Sequence, residues 1–146
     1  MHKQVVKADV PDAGATFNHC VKYGNMIYVS GLPPFDADYS AQLRNARANK
    51  QPLPPFPDMP LEKQVRIVME NMKKLVEAAG SNMDCLLKVN VWLKDQSQQE
   101  TFDRVYRRYF SSAETLPART RIQAGRTPLD CGLEVEACNQ VPPGGV

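Results

Sequence analysis

Histidine is scarce in this chain: its 146 residues include only His2 and His19. The four cysteines, Cys20, Cys85, Cys131 and Cys138, contain no CxxC pair and no attendant histidine pattern. A zinc site draws its ligands from such clusters, so no metal is expected. The cysteines read instead as reduced thiols packed as small apolar residues. Long hydrophobic runs are missing too, none approaching the roughly 18 residues of a membrane span. Met1-His2-Lys3-Gln4 leads into a short polar segment rather than an apolar leader, which makes a cytoplasmic location, with no membrane partner, the expectation. Nor is there an excess of charge of one sign. Eighteen basic residues face sixteen acidic ones, mixed along the chain, for a net charge of +2. Nothing in that balance favours nucleic acid or an anionic surface.

What is present suits one globular unit. With 42% hydrophobic residues, residues 1–146 fit a single domain with one core. Residues 5–10 and 20–30 read as strands, the second broken by the turn dipeptide Gly24-Asn25 into a hairpin. Prolines 33, 34, 52, 54, 55, 57 and 60 crowd the next stretch, which therefore cannot be an internal strand. Residues 33–59 are expected to form a long surface loop with at most one short helical turn. From Leu61 the apolar positions Leu61, Val65, Val68, Met72, Leu75, Val76 and Ala79 mark one helical face, ended by Gly80 as a left-handed cap. Leu87, Val89, Val91 and Leu93 alternate with Leu86, Lys88, Asn90, Trp92 and Lys94 as in a strand with one buried face. Residues 98–110 return to a helical period, and strands at 118–125 and 133–139 precede a tail at Pro142-Pro143-Gly144-Gly145.

The order β-β-α-β-α-β-β, with an extra N-terminal strand, predicts an α+β sandwich of two layers, both helices on one face of the sheet. The other face is left uncovered, and Trp92 or Tyr28 on it would form an apolar patch of the kind that drives association. An oligomer is the expectation.

On the strand from Ala118, Arg119, Arg121 and Gln123 share one face, with Thr120, Ile122 and Ala124 on the other. An arginine on such a strand needs an anion, either an interfacial carboxylate or the carboxylate of a ligand, which its planar fork binds bidentately. Glu134 and Glu136 share a face of the last strand, an arrangement that is either solvated or catalytic. Ser30, just before Gly31, has no histidine near it in sequence and reads first as a turn-capping hydroxyl.

Three segments carry a resemblance: Pro117-Ala118-Arg119-Thr120, Glu134-Val135-Glu136-Ala137 and Asn25-Met26-Ile27-Tyr28-Val29-Ser30-Gly31. With the helix 70–80 between them, the chain resembles over nearly its whole length the Rid (YjgF-like) family of enamine/imine deaminases. That resemblance implies a chorismate mutase-like fold, a mixed six-stranded sheet with two helices on one face. It implies a homotrimer with the sheets packed into a barrel and active sites in the clefts between subunits. It also implies cofactor-free hydrolysis of a 2-imino acid to a 2-oxo acid and ammonia. In that reaction Arg119 grips the substrate carboxylate and Glu134 positions the water, with Ser30 and Gly31 in the pocket wall.

The chain departs from the family pattern in several places. Its Gly-Pro-Tyr segment corresponds to Gly14-Ala15-Thr16, so the pocket tyrosine is absent and Phe17 is the nearest aromatic. Arg121 replaces a common cysteine, Asp103 an asparagine, and Leu32 a glutamine. Thr16, Phe17, Arg121 and Asp103 are thus placed at or near the pocket with altered polarity. The segment 33–59 exceeds the family norm by about a dozen residues, as surface decoration or as a pocket wall adapted to a larger acid. Two rival readings stand beside the enzyme: a carboxylate-binding or regulatory trimer without turnover, and a ribonuclease or translation inhibitor. The latter is disfavoured by the mixed charge and the lack of a histidine pair.

Overall fold

The computed structural model describes residues 1–144, so Gly145 of the predicted tail lies outside the described residues. Nine elements follow one another: β1 (Gln4–Val5), β2 (Cys20–Tyr23), β3 (Met26–Leu32), α1 (Ala37–Ala48), α2 (Leu61–Ala78), β4 (Leu86–Leu93), α3 (Gln99–Tyr106), β5 (Ala118–Gln123) and β6 (Leu133–Gln140). The six strands form one mixed sheet in the order β1-β2-β3-β6-β4-β5. β4 and β5 run parallel and the other pairs antiparallel, so the last strand in sequence lies inside the sheet.

The helical face expected from Leu61 onward is buried at all seven positions, and Gly80 follows the helix at φ 91°. α2 and α3 cover one face of the sheet, where Ile27, Val29, Val89, Val91, Leu93, Leu133 and Val135 meet Val65, Val68, Met72, Leu75 and Phe102. Burial alternates along β6 from Leu133 onward, with Leu133, Val135, Ala137 and Asn139 facing the helices and Glu134, Glu136, Cys138 and Gln140 facing away. The four cysteines are free thiols; Cys20 and Cys131 are buried, which pushes each thiol up to about 11.

Three expectations need correction. Residues 37–48 form a 12-residue helix, not a loop, because the prolines bracket this stretch without entering it. Asp36 caps it by accepting from the Tyr39 amide, and Tyr39, Leu43 and Ala46 supply its buried stripe. Among the described residues there are therefore three α-helices rather than two, and α1 packs with Phe35, Phe56 and Cys131 in a second, smaller cluster. The first strand shrinks from residues 5–10 to Gln4–Val5, since Val6, Ala8 and Val10 turn inward to pack on the main core. In β4, Leu87 is exposed and Leu86 buried, because the pairing with β6 shifts register between Leu86 and Lys88. The regular alternation begins only at Val89.

Candidate active site

β3 leaves regular pairing with β6 between Val29 and Leu32, and the first candidate group sits at this irregularity. There the Glu134 side chain lies over Gly31. A Cβ added to Gly31 would stand 2.8 Å from the Glu134 carboxyl carbon, so a larger residue there would displace the carboxylate from this position. Glu134 is half-buried and has no hydrogen-bond partner among the described residues. Burial, and secondarily the charge of Glu136, hold its carboxyl above its ordinary value. Glu136 is placed differently: it accepts a hydrogen bond from Asn90 Nδ2 at 2.9 Å.

Glu134 opens onto a cavity of about 260 Å³. Phe17, Leu32, Phe35 and Leu129 supply much of its wall, and His19 and Arg47 its polar edge. Phe17 stands edge-on to the His19 ring at 5.9 Å. Ser30 donates its hydroxyl to the Asn18 carbonyl at 2.7 Å, so it ties down the loop that carries Phe17. That is the capping role read from sequence, and neither Ser30 nor Thr16 lies on the cavity wall.

A second candidate group is built on β5. Arg119 donates to Asp103 Oδ1 at 2.8 Å, and Arg121 donates to the same oxygen at 2.5 Å. The Arg119 guanidinium lies 5.0 Å from the Tyr106 ring centroid and 5.7 Å from that of Phe102. Arg121 also donates to Gln99 Oε1 at 2.9 Å. The two departures at 103 and 121 thus answer each other as an ion pair. One carboxylate between two guanidiniums leaves one positive charge uncompensated, with Arg119 a quarter exposed on a cleft beside Pro117, Ser112 and Tyr106.

The two groups lie apart within the chain. Arg119 pairs with Val89, whose side chain is in the core; Glu134 pairs with Trp92, three residues further along β4 and on the opposite face. Two strand spacings and three residues of rise separate their Cα positions by about 10 Å in each direction, with the side chains on opposite faces of the sheet. The predicted residues therefore form two groups: Glu134 and Phe17 at the cavity, with Gly31 against Glu134, and Arg119, Arg121 and Asp103 under the edge strand. Arg47, Ser40 and Asn71 on the cavity wall were not found from sequence. The signal for Arg47 and Ser40 was available in the capped, proline-free run after Asp36.

The fold and these segments have relatives. The sequence model of the family described as endoribonuclease L-PSP matches residues 7–141. A RutC family protein of Saccharolobus solfataricus is 30% identical over 140 residues, 96% of this chain and 98% of that one. The 2-iminobutanoate/2-iminopropanoate deaminase of Salmonella typhimurium is 29% identical over 138 residues, 94% and 96% of the two chains. The crystal structure of E. coli TdcF with bound serine superposes with a TM-score of 0.75 at 26% identity, covering 94% of this chain and 98% of that one. This chain belongs to the endoribonuclease L-PSP family, the Rid or YjgF-like proteins.

Proposed function

We propose that the protein hydrolyses 2-imino acids, reached by tautomerisation from their enamines, to 2-oxo acids and ammonia without a cofactor. The sites lie between neighbouring copies of a homotrimer. The observation that carries this reading is the Glu134 carboxylate: desolvated, without a hydrogen-bond partner among the described residues, and poised over Gly31 at a cavity. A carboxylate so placed is a proton acceptor in want of a donor, and a water fits that description.

The chemistry follows from the two groups. Arg119 of one subunit binds the substrate carboxylate, its spare positive charge completing a balanced set with Asp103 and Arg121. Water adds to the carbon of the protonated imine as Glu134 of the next subunit takes its proton, giving a tetrahedral amino alcohol. Glu134 then returns that proton to nitrogen, takes up the hydroxyl proton as the C–N bond breaks and the 2-oxo acid forms, and passes it to the departing ammonia, which leaves as ammonium with Glu134 ionised again. The name of the Salmonella relative and the serine bound to the E. coli neighbour support a small amino-acid-like ligand.

Assembly is supported by the sheet face opposite the helices, where Val5, Tyr28 and Ile122 are between 42% and 51% exposed. Apolar side chains spread over an uncovered sheet are what a subunit interface buries. The carboxylate-binding rival uses the same arginines: Asp103 already engages both, so in either reading a ligand carboxylate shares them. The ribonuclease reading has the family's description behind it, but the charge is mixed and only two histidines are present.

The test is ammonia release from freshly generated 2-imino acids, with light scattering on the same sample. Turnover at a trimer mass is the expected result. Binding of 2-oxo acids without turnover would establish the rival, and a monomer at micromolar concentration would remove the shared site.

The pH profile gives a second check. Glu134 acts as base only when ionised, and its carboxyl is raised by burial and by Glu136, so kcat/KM should rise with pH through a midpoint above the usual carboxylate value of about 4.3. Removing the like charge by Glu136→Gln should move that midpoint down. A midpoint that stays put in the variant would show that the two carboxylates do not sense each other.

A further inference from the structure

We infer that the substrate's side chain is bulky and apolar, a branched or aromatic group lodged in the cavity that segment 33–59 closes; this rests on the deaminase reading above. The position of Glu134 on the cavity wall puts the reacting carbon beside the cavity, which is the space open to the group that hangs from that carbon. The interior is walled by Val10, Phe17, Leu32, Phe35 and Leu129. A methyl or ethyl group leaves most of about 260 Å³ unfilled. For scale, an apolar cavity of about 150 Å³ takes a benzene ring.

The wall is a built one. Phe35, Tyr39 and Phe56 pack with ring centroids 5.1 to 6.0 Å apart, and the Tyr39 hydroxyl donates to the Pro54 carbonyl at 2.8 Å, tying α1 to the proline-rich return. Arg44 and Arg47 donate to the carbonyls of Asp12 and Ala13, which fixes the facing loop and its Gly14, at φ 75°, against the helix. The polar groups of α1 that reach the cavity are engaged in this scaffolding: Ser40 donates to the Phe35 carbonyl and Arg47 to Ala13. Their engagement argues against α1 holding a second carboxylate, and the apolar wall argues for an apolar side chain, each buried methylene of which is worth about fourfold in affinity.

The experiment is calorimetric affinity of the full-length protein for four 2-oxo acids: phenylpyruvate, 4-methyl-2-oxopentanoate, pyruvate and 2-oxoglutarate. The first two are expected to bind at least about tenfold tighter than pyruvate. Ala15→Phe, at an exposed loop position on the cavity wall, should shrink that gap by about tenfold by filling the space. Pyruvate binding as tightly as phenylpyruvate, or no binding by any of the four, would overturn the inference. Preference for 2-oxoglutarate would overturn it as well, and would assign Arg47 to a second carboxylate. Because binding is read apart from turnover, the expected affinity order without ammonia release would sink the deaminase reading and leave the apolar subsite standing.

Discussion

Glu134→Gln is expected to abolish ammonia release while leaving the fold, the assembly and the affinity for 2-oxo acids nearly unchanged. The carboxylate makes no hydrogen bond among the described residues, so the amide breaks no contact, and its near-identical shape keeps the close approach to Gly31. What it cannot do is take a proton from water. Loss of a positioned general base costs about 100- to 10,000-fold in rate. The amide would also lack the charge that burial and Glu136 disfavour, so no stability loss should accompany the change. Glu136→Gln should be far milder at neutral pH, because that carboxylate is held by Asn90 and is not on the cavity wall. Ammonia release, calorimetry and mass for both variants decide the matter. A dead Glu136→Gln beside an active Glu134→Gln would exchange the two roles, and two active variants would place the base elsewhere, with Asp103 the first residue to examine.

Arg119→Lys should lose most of the activity although it keeps the charge. The guanidinium donates to Asp103 at 2.8 Å, lies 5.0 Å from the Tyr106 ring centroid and is a quarter exposed on a cleft, so N–H groups that Asp103 does not use remain for a ligand. An ammonium can keep the pair with Asp103 but cannot offer two parallel hydrogen bonds to a substrate carboxylate. The loss is worth roughly 2 to 4 kcal/mol, or about 30- to 1000-fold in kcat/KM. A variant within about threefold of wild type, at the same mass, would make Arg119 a structural partner of Asp103 and Arg121.

Strong periodicity explains why so much of the fold was legible in the sequence. The seven-position stripe of α2, the alternation of β6 and the Gly24-Asn25 turn each repeat one physical requirement often enough to be read. α1 was hidden because proline density was averaged across 33–59, while the helix occupies the part free of proline. The displaced start of β4 was hidden because Leu86 and Leu87 are equally apolar, and only pairing with β6 decides which one faces the core. At the site, the faces of Arg119 and Glu134 could be read separately, but their relation depends on strand order. Inserting β6 between β3 and β4 is a tertiary fact that no local pattern records. The Asp103–Arg121 pair was visible only as two separate departures, eighteen residues apart in sequence.

That strand order leads to the central claim, that Arg119 of one subunit and Glu134 of another complete a single site. Mixing the two inactive variants tests it most directly. Arg119→Lys and Glu134→Gln chains are unfolded together, refolded at equal ratio, and assayed for ammonia release beside each variant refolded alone. In a cyclic assembly of randomly mixed chains, about a quarter of the shared sites regain both native residues. Recovery of about a quarter of wild-type activity is the predicted result. Activity no higher than the mean of the two variants alone, in assemblies shown to contain both chains, would contradict it.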